Sequence, residues 1–136
     1  CESFGILMLR INEMFEVTIS KSFSAAHLLA EIGGKCEELH GHNFKVEVTV
    51  GANQLTNEGV LIDFRLVKKW LKEILDQMDH QHLNELPFFK GQNPSSENIA
   101  YYVFHEMKIR VKEAGVRVFQ VKVWESENSA VTYRED

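Results

Sequence analysis

The sequence predicts an α+β domain in which two strands come first, two helices follow and two strands end the chain. Apolar and polar residues alternate along two early stretches and again over residues 119–125 and 130–134, as in half-buried strands. Between them, two segments carry apolar residues at helical spacing. We expect a single domain over residues 14–136, preceded by an extension, residues 1–13, to which no function is assigned.

The composition is that of an ordinary globular protein and limits the classes of function. Hydrophobic residues make up 44% and charged residues 26% of the 136 residues, enough to build one buried core. The net charge of −5 argues against nucleic-acid binding, which needs a basic face. The apolar stretch over residues 5–9 is too short to cross a membrane. Cys36 and the terminal Cys1 are unpromising for a disulfide framework, which favours a reducing, cytoplasmic setting.

The first strand is predicted from Phe15 onward. Its apolar residues occupy odd positions: Phe15, Val17, Ile19, Phe23 and Ala25. Lys21 breaks this parity, which indicates either a strand that leaves the core or a functional cation. His27 shares the apolar parity, so we expect its imidazole to face inward.

The second strand carries apolar residues at even positions: Phe44, Val46, Val48 and Val50. His40 and His42 share this parity. If the two strands form an antiparallel pair, His27, His40 and His42 lie on one covered face. The connector, residues 28–39, contains Cys36 and is longer than a simple hairpin needs, and such loops often carry function.

Three inward imidazoles are the central functional signal. A single inward histidine is usually a hydrogen-bonded core residue, but three on one face, two of them in His-x-His spacing, favour a metal site with an open position. Zinc is the expected ion, although imidazole ligands also suit iron, copper or nickel.

Two helices are predicted between the strand pairs. Asp63 is placed as the N-cap of the first and Asn93 as the N-cap of the second, which runs from about Pro94 to Ala114 and ends at Gly115. The apolar stripe of the first is Phe64, Leu66, Val67, Trp70, Leu71, Ile74, Leu75 and Met78, and that of the second is Ile99, Val103, Met107 and Val111.

Two further positions carry candidate chemistry. Asp79 beside His80 could orient the imidazole as a proton carrier, or it could merely cap a helix end. Glu125 shares the parity of the apolar residues before it, which is costly without a donor. It could accept two hydrogen bonds from an amino-pyrimidine edge, or form a salt bridge or a solvated strand end. His82 and His105 are expected on the surface.

Five motifs together resemble the 6-pyruvoyl-tetrahydropterin synthase family from about Met14 to the C-terminus. They are Phe23-Ser24-Ala25-Ala26-His27, Cys36-x3-His40-Gly41-His42-Asn43, Asp79-His80 with Asn84, Pro94-Ser95-Ser96-Glu97-Asn98, and Trp124-Glu125. The three residues between Cys36 and His40 resemble the 6-carboxy-tetrahydropterin synthase branch of queuosine biosynthesis, whereas the pyruvoyl-forming branch typically has five.

The resemblance implies the tunnelling fold, a four-stranded antiparallel sheet with two helices on one face. It also implies a homohexamer built as a dimer of trimers, with active sites between subunits. The implied reaction converts 7,8-dihydroneopterin triphosphate into 6-carboxy-5,6,7,8-tetrahydropterin, acetaldehyde and triphosphate.

The same resemblance implies the roles of the site residues. The zinc ligands would be His27, His40 and His42. Cys36 would act as the general base, and Asp79 with His80 would form a second proton relay, reaching in from a neighbouring subunit. The substrate-binding residues would be Glu125, which anchors the pterin ring, and Ser95 and Glu97, contributed by another chain. Ser95 stands where family members often have threonine, and it preserves the hydroxyl.

Glu37 leaves the product open. It satisfies Glu-x2-His-Gly-His and resembles a branch in which a glutamate replaces the catalytic cysteine and side-chain cleavage gives 6-hydroxymethyl-dihydropterin for folate synthesis. Because Cys36 is also present, either reaction or both are possible. A pyruvoyl-forming enzyme and a non-catalytic zinc- or pterin-binding module are the weaker alternatives. For the triphosphate, proximity alone suggests Lys21, Lys35 and Lys45.

Overall fold

The structure, a computed structural model, describes residues 14–112 and 114–135, so the expectation for residues 1–13 lies outside it. The strands are β1 (Phe15–His27), β2 (His40–Ala52), β3 (Arg117–Ser126) and β4 (Ser129–Arg134), and the helices are α1 (Phe64–Leu75) and α2 (Ser96–Arg110). Short 3-10 turns cover Gly34–Glu37, Leu83–Glu85 and Pro87–Phe89. The predicted order of two strands, two helices and two strands is confirmed.

The four strands form one antiparallel sheet in the order β1-β2-β3-β4. Alternation buries one side of each central strand, and the apolar sides of α1 and α2 complete a single core. Fully buried members include Phe44, Val46, Val48, Val121, Val67, Leu71, Ile99 and Val103. The predicted α+β class is therefore confirmed. None of the described helices has the length and apolar character to cross a membrane.

The pairing of β1 with β2 brings the two histidine-bearing strand ends together. The register runs from Phe15 opposite Ala52 to His27 opposite His40 without interruption. Lys21 lies within this register and is half-buried, so it does not mark a strand that leaves the sheet. An uninterrupted register preserves side-chain parity, which is why the far end of the pair gathers imidazoles on one face.

The start of α1 agrees with the sequence except for two side chains. Asp63 is the N-cap, because its carboxylate accepts a hydrogen bond from the Arg65 N–H at 2.8 Å. The prediction that Phe64 and Leu66 belong to the core stripe is wrong, since they are 58% and 37% exposed. The first fully buried position of the helix is Val67.

Both helices end about a turn before the predicted positions. The first ends at Leu75 rather than Met78, and the second ends at Arg110 rather than Ala114. Met78 and Val111 are nevertheless buried, in the turns that follow. Apolar periodicity continued past each helix because these turn residues also face the core.

The predicted cap of α2 was wrong by two residues. Ser95, not Asn93, is the N-cap, and its hydroxyl accepts a hydrogen bond from the Asn98 N–H at 3.1 Å. Asn93 instead accepts from the Ala30 N–H at 2.8 Å and donates to the Ala30 carbonyl at 3.0 Å. Its side chain is thus used to hold the distant β1–β2 connector.

A second asparagine holds the same connector one step earlier. Asn84 accepts from the Leu28 N–H at 2.9 Å and donates to the Leu28 carbonyl at 3.0 Å. Within the connector, the Leu29 N–H donates to the carbonyl of Cys36 at 2.7 Å. Asn84 and Asn93 therefore act on alternate residues, as a neighbouring strand would, and fix the base of the loop that carries Cys36.

Replacing Asn84 by alanine should destabilise the protein. Two hydrogen bonds would be lost and both backbone groups of the half-buried Leu28 left unpaired, so the free energy of unfolding should fall by about 1–3 kcal/mol. Urea denaturation measures the difference. The exposed Asn53→Ala is the control and should change stability by no more than about 0.5 kcal/mol. Equal stability of the two variants would contradict the clamp.

Candidate active site

Three imidazoles meet at one end of the sheet, where β1 ends and β2 begins. The ring centroids lie 4.6 Å apart for His27 and His40, 4.8 Å for His40 and His42, and 5.3 Å for His27 and His42. One donor atom from each ring lies within 4.8 Å of the others. His27 is buried, and the other two are half-buried. The predicted grouping of these histidines on one face is confirmed.

Backbone carbonyls orient two of the rings. His27 Nδ1 lies 2.7 Å from the carbonyl oxygen of Pro94, and His40 Nδ1 lies 2.7 Å from that of Glu38. Because a carbonyl can only accept, each Nδ1 carries a hydrogen, and this selects the tautomer whose lone pair is on Nε2. This arrangement is typical of histidines that ligate metals through Nε2.

The Nε2 atoms of His27 and His42 are buried, and neither has a hydrogen-bond partner among the described residues. Burial lowers the pKa of His27 and of His42, which favours the neutral, ligating form. Buried polar atoms are normally satisfied. The donor set therefore fits a metal ion.

A carboxylate lies against the same cluster. Glu125 Oε1 lies 3.5 Å from His27 Nε2 and 3.6 Å from His42 Nε2. Glu125 falls where the β3–β4 register shifts between Trp124 and Ser126, and such bulges re-aim side chains. The carboxylate on the apolar side of β3 thus faces the imidazoles.

Asp79 and His80 lie along the outer edge of β1. The Ser24 N–H donates to Asp79 Oδ1 at 2.9 Å, and the His80 N–H donates to the Ser24 carbonyl at 2.6 Å. His80 Nδ1 is 3.1 Å from Asp79 Oδ2. The Ser24 amide holds the pKa of Asp79 below its usual range, and His80 adds to the effect. An ionised carboxylate thus orients an imidazole that is largely exposed.

Two grooves meet at Asn43. One, of about 510 Å³, is lined by Ser24, Ala25, Ala26, Gly41, His42, Asn43, His80, Gln81 and His82. The other, of about 590 Å³, is lined by Asn43, Lys45, Trp124, Glu125, Ser126 and Glu127. His42 and His80 therefore share a groove within one chain. His82 and His105 are half-buried, with 31% and 34% of their side chains accessible at the surface.

Cys36 and Glu37 are not brought to the imidazoles. Both are exposed in the turn that precedes β2, and neither belongs to the group of donor atoms found in the described residues. Glu37 Oε1 accepts a hydrogen bond from the Glu31 N–H at 3.1 Å, within the same loop. The Cys36 thiol is free.

Ser95 and Glu97 lie behind the cluster. Ser95 is occupied as the cap of α2, and Glu97 is exposed in the first turn of that helix. Within the same chain, this turn contributes the Pro94 carbonyl, which orients His27. Sequence reasoning missed this group and the Glu38 carbonyl because every residue has a carbonyl. Asn84 did stand in a recognised motif, which was a usable signal.

The fold and the site together define a class: a tunnelling-fold protein whose sheet gathers a three-imidazole centre at one end. The model of the family described as 6-pyruvoyl tetrahydropterin synthase matches residues 16–136. The chain therefore belongs to the 6-pyruvoyl tetrahydropterin synthase family, whose enzymes process pterins.

Relatives carry the names of two enzymes. The 6-carboxy-5,6,7,8-tetrahydropterin synthase of Synechocystis is 36% identical over 118 residues, covering 82% of this chain and 87% of its own. The human 6-pyruvoyl tetrahydrobiopterin synthase is 33% identical over 127 residues, covering 83% and 86%. The solved 6-pyruvoyl tetrahydropterin synthase of Caenorhabditis elegans superposes with a TM-score of 0.80 at 27% identity, covering 91% and 97%.

Removing one imidazole should abolish tight metal binding. We expect His42→Ala to weaken Zn²⁺ binding by about 100-fold or more, since even losing an outer partner of a ligand costs about 10–100-fold. Competition with a chromophoric chelator measures the affinity. The control is His105→Gln, on the far helix α2, which should bind as the unmodified protein does. Equal affinity of His42→Ala and the unmodified protein would rule out this centre.

The metal-free protein should lose stability on acidification. Burial keeps the pKa of His27 below its unfolded value of 6.5, so below that pH the unfolded chain binds more protons than the folded one. Stability is complete above this pH and declines as the pH falls toward the folded pKa. Thermal unfolding in chelator between about pH 7.5 and about pH 5.5 tests this. His27→Asn should flatten the dependence, and an equally steep dependence in that variant would contradict it.

Proposed function

We propose that the chain is a zinc-dependent 6-carboxy-tetrahydropterin synthase, a lyase that converts 7,8-dihydroneopterin triphosphate into 6-carboxy-5,6,7,8-tetrahydropterin, acetaldehyde and triphosphate. The observation that carries the proposal is the pair of buried, unpartnered Nε2 atoms of His27 and His42 beside the Glu125 carboxylate. Pterin chemistry comes from the family, and the choice of branch comes from the Cys36-x3-His40 spacing.

Different residues of the chain would bind the metal and transfer protons. His27, His40 and His42 would hold the zinc, which when bound would act as a Lewis acid on the side-chain hydroxyls of the substrate. Asp79 orients His80, so that its imidazole can carry a proton to or from the substrate in the groove that it shares with His42.

The second groove suits the pterin ring. Its volume of about 590 Å³ lies in the range of small-molecule sites. Glu125 lines it, and a carboxylate can accept two parallel hydrogen bonds from the amino-pyrimidine edge of a pterin. Trp124 is held in place because its Nε1–H donates to Glu47 Oε1 at 2.6 Å. Ser95 and Glu97 are proposed to contact substrate held by a neighbouring chain.

Cys36 is favoured over Glu37 as the general base. The Glu37 carboxylate already accepts a hydrogen bond from the backbone of its own loop, whereas the Cys36 thiol is free and exposed. A thiolate would remove the proton from the substrate carbon next to the hydroxyls. The second candidate, side-chain cleavage to 6-hydroxymethyl-dihydropterin through Glu37, rests on the nearness of that carboxylate in sequence to the thiol.

Lys45 is the favoured cation for the triphosphate. It lines the same groove as Glu125. Lys21 pairs with Val46, the neighbour of Lys45, so it lies on the face of the sheet that carries the imidazoles and lines a different groove, together with Asp79. Lys35 lies beside Cys36 in the exposed turn.

Assembly would complete the site. Cys36 does not reach the imidazoles in one chain, and β1 and β4 form the two edges of the sheet. Because residues 79–81 already bond the β1 edge at Ser24 and Ala26, pairing with another chain would use β4 or the earlier part of β1. We infer a homohexamer, a dimer of trimers with sites between subunits, and a cytoplasmic location as expected from the cysteine content.

Product analysis tests the proposal. The zinc-loaded protein, Cys36→Ala, Glu37→Gln and the exposed control Glu58→Gln are incubated with 7,8-dihydroneopterin triphosphate and with 7,8-dihydroneopterin. We expect acetaldehyde and 6-carboxy-tetrahydropterin from the triphosphate. Cys36→Ala should keep zinc but slow this reaction by about 10²–10⁴-fold, as expected for loss of a general base.

The remaining outcomes separate the alternatives. Glu37→Gln and Glu58→Gln should turn over normally. Formation of 6-hydroxymethyl-dihydropterin, lost in Glu37→Gln and kept in Cys36→Ala, would replace the proposal by the folate reaction. Zinc binding without turnover of either substrate would indicate a binding module.

A further inference from the structure

Glu125 has a position that anchoring a pterin does not explain. One oxygen of its carboxylate is almost equally distant from the Nε2 atoms of His27 and His42, at 3.5 and 3.6 Å. Both distances exceed the usual upper limit of a hydrogen bond, about 3.2 Å. The carboxylate therefore approaches two imidazoles without a normal hydrogen bond to either.

The chemistry of the facing atoms calls for a cation. His27 donates through Nδ1 to Pro94, so its neutral ring presents a lone pair on Nε2. The Glu125 carboxylate oxygen that faces this atom likewise presents lone pairs. Two acceptors that face each other, one of them a buried nitrogen, repel unless a positive charge lies between them.

The spacing matches shared coordination. Zinc binds imidazole nitrogen and carboxylate oxygen at about 2.0–2.2 Å, so two ligands of a tetrahedral ion lie about 3.3–3.6 Å apart. The distances from Glu125 Oε1 to the two nitrogens fall in this range, whereas the group of ligating atoms that all lie within 4.8 Å of one another in the described residues consists of the three histidines alone. The β3 bulge at Glu125 aims the carboxylate at the imidazoles, and the same residue also lines the groove proposed for the pterin.

We propose that Glu125 is the fourth ligand of the metal in the substrate-free protein and leaves it when the pterin ring binds. This inference rests on the proposed function, because it uses the same metal centre and the same groove. One carboxylate cannot ligate the ion and accept both hydrogen bonds of a pterin edge. Pterin binding would therefore open the coordination position only when a substrate is present to fill it.

Cobalt spectroscopy tests the ligand role without turnover. The protein, Glu125→Gln, Glu125→Ala and the control Glu58→Gln are loaded with Co²⁺, whose visible absorption reports coordination number and ligand set. We expect both Glu125 variants to bind Co²⁺ about tenfold or more weakly and with an altered spectrum. Glu58→Gln, which is exposed and lines neither groove, should match the unmodified protein. Circular dichroism of the metal-free variants checks that they fold.

Unsubstituted pterin tests the release, because it lacks the side-chain hydroxyls that could bind the metal. Adding it to the Co²⁺ protein should shift the spectrum toward that of Glu125→Gln, and it should leave Glu125→Gln unchanged.

The contradicting outcomes differ from those of the proposed function. Unaltered Co²⁺ affinity and spectrum in both Glu125 variants would overturn this inference and leave the metal centre standing. A spectrum that does not respond to pterin would overturn the release. Failure of the unmodified protein to bind Co²⁺ would overturn both the inference and the proposed metal centre.

Discussion

The site depends on the hydrogen bond from His27 Nδ1 to the carbonyl of Pro94. It joins the end of β1 to the turn before α2, across 67 residues of sequence, and it is buried. By fixing the tautomer it leaves a lone pair on Nε2, and the matching bond from His40 to the Glu38 carbonyl does the same for a second ring. Without these bonds the rings could present N–H groups to one another, and the cluster would be an ordinary polar contact in the core. With these hydrogen bonds, the cluster is a set of converging nitrogen lone pairs that a metal ion would bind.

The rest of the structure holds this arrangement by ordinary means. An uninterrupted β1–β2 register delivers three imidazoles to one face. At the base of the connector, the side chains of Asn84 and Asn93 make the backbone hydrogen bonds that a neighbouring strand would otherwise make. The segment that carries Asp79 and His80 is hydrogen-bonded to Ser24 of β1, so this carboxylate–imidazole pair is held against the strand that ends in His27. The imidazole cluster, the Asp79–His80 pair and the connector are thus all held at one end of β1.

Sequence reasoning succeeded where side-chain parity decides the outcome. The period-two alternation of the strands predicted that His27, His40 and His42 lie together. It also indicated that Glu125, on the apolar side of its strand, would be costly without a hydrogen-bond donor. It failed where a side chain has several possible uses: Asn93 has the composition of a helix cap but clamps Ala30 instead, and Phe64 fits a helical stripe but is exposed. The distance from Glu125 to the imidazoles depends on a bulge, which parity cannot place. Nor could the sequence show which backbone carbonyls orient the rings, because every residue has one.

We expect three imidazoles and a carboxylate, and no thiolate, to surround the metal in the substrate-free protein. X-ray absorption at the zinc edge tests it most directly. The account predicts only nitrogen and oxygen neighbours at about 2.0–2.2 Å, with the outer-shell scattering of three imidazole rings. A sulfur neighbour at about 2.3 Å would instead place Cys36 on the metal, and fewer than three imidazoles would contradict the centre itself.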